Sequence, residues 1–371
     1  MAMRLRRRST TWYPTETPSI AAVLPCLQTG GVLGDRYVVV NYITRGGYGR
    51  IYRAYDTVDR VLVAVKVWVS NTDGANERTI ELETLASLRG ANGCSQLRDQ
   101  VDLPEPYRVA AIMPLGGKTV AHIEDPTDQY NAFCSACRAL YNCHMAGVVH
   151  RDIKPEQILF PTKFQLSKVV EKWFSEHVDP LEGGVEAKAI YVRKHFSEIP
   201  TPPDNDPVVY SDAMLIDARG WRHPAMPNIG FKAPEALIAE LYMPESDWWA
   251  LGSTMLAWLN PDGESPFETK EESGVVQMQI ILYAMRRENT GIEAMRGVFM
   301  DIHEMQPLPN LTPLDRFRGF NMILRTADPL EPGMAQRIQY HKIAPSLRKM
   351  LKHTLAINPL RRRAFNVVPS D

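Results

Sequence analysis

The stretch AGVVHRDIKPEQILF, residues 146–160, sets a carboxylate at Asp152 and an ammonium at Lys154 two residues apart in a charged loop between apolar runs. A carboxylate near a nucleophile can take its proton. An ammonium neutralises anionic charge, and phosphoryl transfer needs positioning and charge neutralisation more than covalent chemistry. If this loop transfers phosphate, the position of Gln157 should hold a short amide gripping a metal ion, and here the amide is one methylene longer. That methylene displaces the amide by about 1.5 Å, whereas Mg2+ demands near-octahedral oxygens at about 2.0–2.1 Å.

Upstream lie groups suited to the same chemistry. RGGYGR, residues 45–50, is a glycine turn whose backbone N–H groups can approach a polyphosphate because no Cβ stands in the way. Lys66, in VAVKV on the next apolar run, can reach the same phosphates, and Glu81 on a following helical pattern can pin that lysine. Downstream come LID (215–217), APE (233–235) and SDWWALG (246–252). Taken singly, each of these residues reads as a surface ion pair or a cap. Their joint occurrence, in this order, does not.

The elements that must position them follow from the apolar patterning. RYVVVNYI and VLVAVKVWV are β-branched runs flanking the glycine turn. Residues 75–89 put Ile80, Leu82, Leu85 and Leu88 on one helical face, and YRVAAIMPLGG (107–117) reads as a further strand. From DQYNAFCSACRALYNCHMAG (128–147) onward the pattern is mainly helical. The expected organisation is a flexible tail over 1–34, a small β-rich lobe over 35–113 and a larger helical lobe over 114–371, joined near Pro114–Gly117. Clefts between lobes are common ligand sites.

Composition bounds the rest. The 371 residues are 44% hydrophobic and 23% charged, ordinary for a globular chain, and the formal net charge of −1 argues for neither nucleic-acid nor membrane binding. WWALGSTMLAWL (248–259) is short of the ~20 residues a bilayer needs and reads as a buried core helix. SIAAVL is short and bracketed by prolines, which disfavours a secretory signal. Five scattered cysteines point to a reducing, intracellular compartment, cytoplasmic or nuclear. Cys134 and Cys137 read as helix packing, with a metal or redox site as the alternative. Arg4, Arg6, Arg7 and Arg8 read as a solvated tail, the alternative being a targeting or docking signal.

Together the glycine turn, Lys66, Glu81, HRDIKPEQIL, LID, APE and SDWWALG resemble the eukaryotic-type protein kinase family over roughly residues 35–365. The resemblance implies an α+β, bilobal protein kinase fold, with ATP and Mg2+ (or Mn2+) as cofactors and a protein substrate. It implies that Gly46, Gly47 and Gly49 cover the phosphates, and that Ile51 and Ala64 pack on adenine from above and Leu159 from below. Ile43 joins the ATP-binding set, and the backbone around Ile112 and Met113 would bond to adenine. Lys66, paired with Glu81, would hold the α- and β-phosphates. Asp152 would accept the substrate's hydroxyl proton and Lys154 would steady the transferred phosphate. Asp217 and Gln157 would be the metal ligands. Asp247 would brace the catalytic loop, and Glu235 would pair with Arg362. A lysine two residues after Asp152 resembles serine/threonine rather than tyrosine kinases. The readings are therefore an active serine/threonine protein kinase or, as the alternative, a pseudokinase serving as a nucleotide- or protein-binding scaffold. A small-molecule kinase is disfavoured by APE followed by SDWWALG.

Four departures from the family pattern bear on activity. Thr44 stands at the first glycine, and Gln157 replaces asparagine. DARG (217–220) stands for Asp-Phe-Gly: Ala218 removes an aromatic, a change worth about 3–5 kcal/mol in an unadapted core unless a neighbour such as Trp221 fills the gap. Arg219 removes a glycine hinge that Gly220 can supply one residue later. Asn228 replaces a threonine. Between Asp217 and Glu235 there is no Ser, Thr, Tyr or acidic residue to partner Arg151, so activation-loop phosphorylation is not expected to be the switch. Two insertions are expected, at about 163–210 and 268–345; Asp152 and Asp217 lie 65 positions apart, against roughly twenty in the family. In the first, Leu166, Val169, Val170, Trp173 and Phe174 share a helical face that packs on its own lobe or docks a partner.

Overall fold

A computed structural model describes residues 24–45, 49–68, 74–104, 107–220, 229–233, 236, 242–261, 263, 343–355 and 362. Gly46, Gly47, Trp221, Asn228, Glu235 and most of the second insertion lie outside the described residues. The chain clusters into two compact units: residues 1–82, 96–116 and 162–208 form one, and 83–95, 117–161 and 209–371 the other.

The first unit is built on a six-stranded sheet: β1 (Val32–Leu33), β2 (Tyr37–Arg45), β3 (Gly49–Asp56), β4 (Val61–Trp68), β5 (Asp99–Asp102) and β6 (Val109–Pro114). Its order is β1-β2-β3-β4-β6-β5, and every neighbouring pair is antiparallel. β2 is apolar at four successive positions rather than alternating, as strands buried on both faces are. Tyr37 and Val39 join Tyr52, Val63, Val65 and Ile112 in one core. Val38 and Val40 point to the other face, where they meet Tyr55 and the first insertion.

The insertion holds helices α3 (Lys163–Leu166), α4 (Val169–His177) and α5 (Gly184–Lys194), following α1 (Gly74–Ser87) and α2 (Pro126–Met145) in chain order. Val170, Trp173 and Phe174 of α4 are buried against the sheet, with Phe174 stacked on Tyr55 at 4.2 Å between ring centroids. Tyr55 also donates to Asp179 at 3.0 Å. Leu166 and Val169 of the expected apolar face stay exposed. The helical lobe is expected over all of 114–371, but residues 162–208 cluster with the sheet, because the sheet's second face is apolar and α4 offers the matching surface. The ends of the excursion are pinned together by a Thr162–Val208 bridge and by Lys163 N–H donating to the Pro207 carbonyl at 2.9 Å.

In the second unit, α2 is capped by Asp125, whose side chain accepts from Thr127 N–H and Asp128 N–H, with Pro126 in the first turn. Cys134 and Cys137 are buried free thiols on this helix, and among the described residues no cluster of His, Cys, Asp and Glu is suited to a metal. Helix α6 (Pro244–Leu259) is buried along nearly all its length, as expected for WWALGSTMLAWL. Helix α7 (Pro345–Thr354) packs against it. Among the described residues, no helix is long and apolar enough to cross a membrane. Strands β7 (Ile158–Leu159) and β8 (Met214–Leu215) pair antiparallel, Ile158 with Leu215, and so bring together two segments far apart in sequence.

Candidate active site

In the sheet unit, antiparallel pairing sets directly opposed side chains on one face. Ile51 opposes Lys66, and Ala64 opposes Met113. These four expected nucleotide-binding residues therefore share a face. Ile43 lies at a register shift in β2, between Tyr42 and Thr44. Gly49 has a local reason to be glycine, since a Cβ there would lie 2.5 Å from the Val67 carbonyl oxygen. The Ile112 side chain lies in the core of the opposite face, and its carbonyl accepts from Arg98 N–H at 2.8 Å, because β6 is flanked by strands on both sides.

Lys66 is buried and ion-paired with Glu81 of α1. The second Glu81 oxygen accepts from the Trp68 indole N–H at 2.9 Å, and the Lys66 ammonium lies 5.8 Å from the Trp68 ring centre. Trp68 was not among the expected site residues. Two residues past Lys66 on the same strand, it shares that side chain's face, a signal the alternation of a strand already carries.

The second unit carries the acidic centre. Asp152 is buried, and its Oδ2 accepts from Arg219 Nη2 at 2.7 Å and the Gln157 amide nitrogen at 3.4 Å and is ion-paired with Lys154 Nζ at 3.4 Å. Its Oδ1 accepts from none of the described residues. The loop is held from behind by Asp247 in the first turn of α6. One Asp247 oxygen accepts from Arg151 N–H at 2.8 Å; the other accepts from His150 N–H at 2.7 Å and lies 2.9 Å from His144 Nε2. That is the bracing role the resemblance implied. His150 is fully buried, its Nε2 without a partner among the described residues, and burial pushes its imidazole below the ordinary value despite nearby Asp247, Asp152 and Asp217.

Asp217 follows β8, and Ile216 N–H donates to the Gln157 carbonyl at 3.0 Å, so the two expected metal ligands stand on adjacent, hydrogen-bonded segments. Arg151 and Asp217 both adopt left-handed backbone, φ +67° and +55°, a conformation that costs side-chain-bearing residues about 1–3 kcal/mol and clusters at active sites. Ala218 is buried. Gly220, at φ +64°, is pressed on α1 so closely that a Cβ would lie 2.6 Å from Thr84 Oγ1. The glycine required here sits one residue later than in the family pattern.

The Arg151 guanidinium, expected to lack a partner, donates to the Gly220 carbonyl at 3.2 Å and stacks 4.3 Å from the Tyr242 ring centre. Burial lowers its pKa from the ordinary value. Tyr242 lies beyond the Asp217–Glu235 window, so a scan of that window misses it. Leu159 lies in β7 opposite Met214. Arg362 is buried, donates to the Glu245 carbonyl at 3.0 Å and stacks on Trp249.

Residues 37–171 match the family described as protein kinase domain. The negative regulator of sexual conjugation and meiosis of Schizosaccharomyces pombe is 32% identical over 147 residues, covering 36% of this chain and 31% of that protein. CDPK-related kinase 1 of Arabidopsis thaliana is 25% identical over 203 residues, covering 53% and 28%. The calcium/calmodulin-dependent protein kinase type II of S. pombe is 24% identical over 250 residues, covering 61% and 46%. The chain thus spans less than half the length of these relatives. A crystal structure of a kinase domain superposes with a TM-score of 0.59 over 91% of this chain and 94% of that one, at 14% identity, which bears on fold alone. Residues 37–171 thus match the protein kinase domain family in sequence, and over most of the chain the fold is that of a kinase domain.

Proposed function

We propose that the chain is a Mg·ATP-dependent serine/threonine protein kinase that works without activation-loop phosphorylation. The observation that carries this reading is Asp152: a buried carboxylate fixed through one oxygen, with the other accepting no hydrogen bond among the described residues. Such a group can orient a substrate hydroxyl and take its proton. Lys66, held by Glu81, would bind the α- and β-phosphates of ATP, and Lys154 would steady the phosphate being transferred. Asp217 fits a divalent ion, because Mg2+ is commonly bound by one or two carboxylates together with substrate phosphates rather than by a protein cage. When bound, the ion supplies positive charge against the phosphate oxygens. The Tyr242 ring and the Gly220 carbonyl engage Arg151, which supports a catalytic loop that needs no phosphate to hold this guanidinium.

The second reading, a pseudokinase scaffold, is favoured by the Arg219–Asp152 ion pair, which sets a cation against the carboxylate the reaction needs. Transfer of labelled phosphate from ATP, with Mg2+ or Mn2+, to casein, myelin basic protein and the chain itself decides between them. The expected result is transfer that disappears in Asp152→Asn. A folded chain that binds ATP and transfers nothing with either metal overturns the kinase reading in favour of the scaffold.

A further inference from the structure

We propose that Arg219 is a fixed cation of the active centre that takes over the charge-neutralising work of a second divalent ion, so that one ion, on Asp217, suffices. The inference rests on the nucleotide-binding reading above.

Gln157, the residue expected at the second metal position, has its amide nitrogen on Asp152 Oδ2 at 3.4 Å. Its backbone is held at both ends, N–H to the Lys154 carbonyl at 2.9 Å and carbonyl to Ile216 N–H at 3.0 Å, so only its side chain is left to adjust. The extra methylene lets that side chain fold back onto the carboxylate.

Arg219 meets the same oxygen at 2.7 Å. It is anchored twice, since its backbone N–H also donates to the His150 carbonyl at 3.0 Å. The following residue, Gly220, is locked by its contact with Thr84 and by accepting from Arg151. The guanidinium is therefore preorganised on the catalytic loop, a condition for electrostatic stabilisation of a transition state.

The charge balance leads to the same conclusion. With Arg219 present, Asp152 and Asp217 are matched by Lys154 and Arg219, and the four charges cancel. A glycine at 219 would leave one negative charge over, which a second dication could offset. A guanidinium is permanently charged and presents a planar fork of donors suited to phosphate. It also opposes a second dication at the Gln157 side chain, which shares the same carboxylate oxygen.

The test counts ions on the full chain with a non-hydrolysable ATP analogue, using the electron paramagnetic resonance of Mn2+. Wild type is expected to take up one Mn2+ per bound nucleotide and Arg219→Gln two, whereas Arg219→Lys, which keeps the charge, stays at one. In transfer assays Arg219→Gln is expected to lose roughly 10²-fold at low free Mg2+, the scale of removing one aimed donor, and to recover as Mg2+ is raised, while wild type stays flat. Two ions on the wild type overturn the proposal, as does a Gln variant that binds nucleotide and still takes one. One ion on wild type and two on the Gln variant, without phosphate transfer by either, uphold the proposal while defeating the kinase reading. Absence of nucleotide-dependent Mn2+ uptake overturns both.

Discussion

Under the proposed kinase reading, the chemistry falls on the side chain of Asp152, whose two oxygens stand in different surroundings. Oδ2 is saturated by Arg219, Lys154 and Gln157, which fix the carboxylate. Oδ1 accepts from none of the described residues and, in that reading, would receive the substrate hydroxyl. Asp152→Asn keeps the shape but removes the base, and should lower kcat by roughly 10²–10⁴ with nucleotide affinity unchanged; equilibrium binding beside initial rates checks this. Lys66 differs, because beside its proposed role toward ATP it holds a buried ion pair with Glu81. Lys66→Met strands Glu81 with the Trp68 indole as its remaining partner among the described residues, and a buried pair broken on one side costs about 3–5 kcal/mol. Thermal unfolding should therefore shift downward even without nucleotide, together with weaker ATP binding.

Among elements, the catalytic loop is held between α6 and the segment after β8. Asp247 accepts two of its backbone N–H groups, while Arg151 reaches forward to Gly220 and lies on Tyr242. Tyr242→Phe keeps the ring under the guanidinium and should retain activity. Tyr242→Ala removes it, and a cation–π contact of about 0.5–2 kcal/mol predicts a loss of several-fold in kcat; rates of the two variants side by side are the measurement. In the first insertion, α4 covers apolar sheet surface through Phe174, which is fully buried and stacked on Tyr55. Phe174→Ala should destabilise the sheet unit by about 3–5 kcal/mol, seen as a lower midpoint in denaturant. A surface docking helix would show no such loss.

At the scale of the whole molecule, each unit holds a carboxylate or imidazole that sets its response to acid. In the second unit the His150 imidazole is held below its ordinary 6.5 by burial. Below about pH 6.5 the unfolded chain takes up a proton that the folded chain refuses, so stability falls as pH drops from there toward the folded value. In the sheet unit burial raises the Asp56 carboxyl, but the Arg36 guanidinium and the N–H groups of Asp59 and Val58 more than offset this and hold it below 3.8. Its contribution is full above 3.8 and is lost as pH falls through the folded value. Stability should thus decline in two stages, the second unit first. Calorimetric midpoints from pH 7.5 to 3 read both stages, and His150→Phe should flatten the first.

The chemistry-bearing residues were legible because their types and order are local facts. HRDIKPEQIL, the lysine in VAVKV and the apolar periods of β2, β4, α2 and α6 need no knowledge of distant contacts. That β2 is buried on both faces, and that α4 covers one of them, was not legible, since α4 and β2 lie more than a hundred positions apart and any apolar face could have met any other. The same holds for Arg219: its replacement of glycine is visible in the chain, but its place on Asp152 depends on β7 pairing with β8 across the insertion. Sequence determined which groups are available for phosphate chemistry; tertiary pairing decided which of them share an oxygen, because a hydrogen bond acts within a few ångströms and chain separation does not measure that distance.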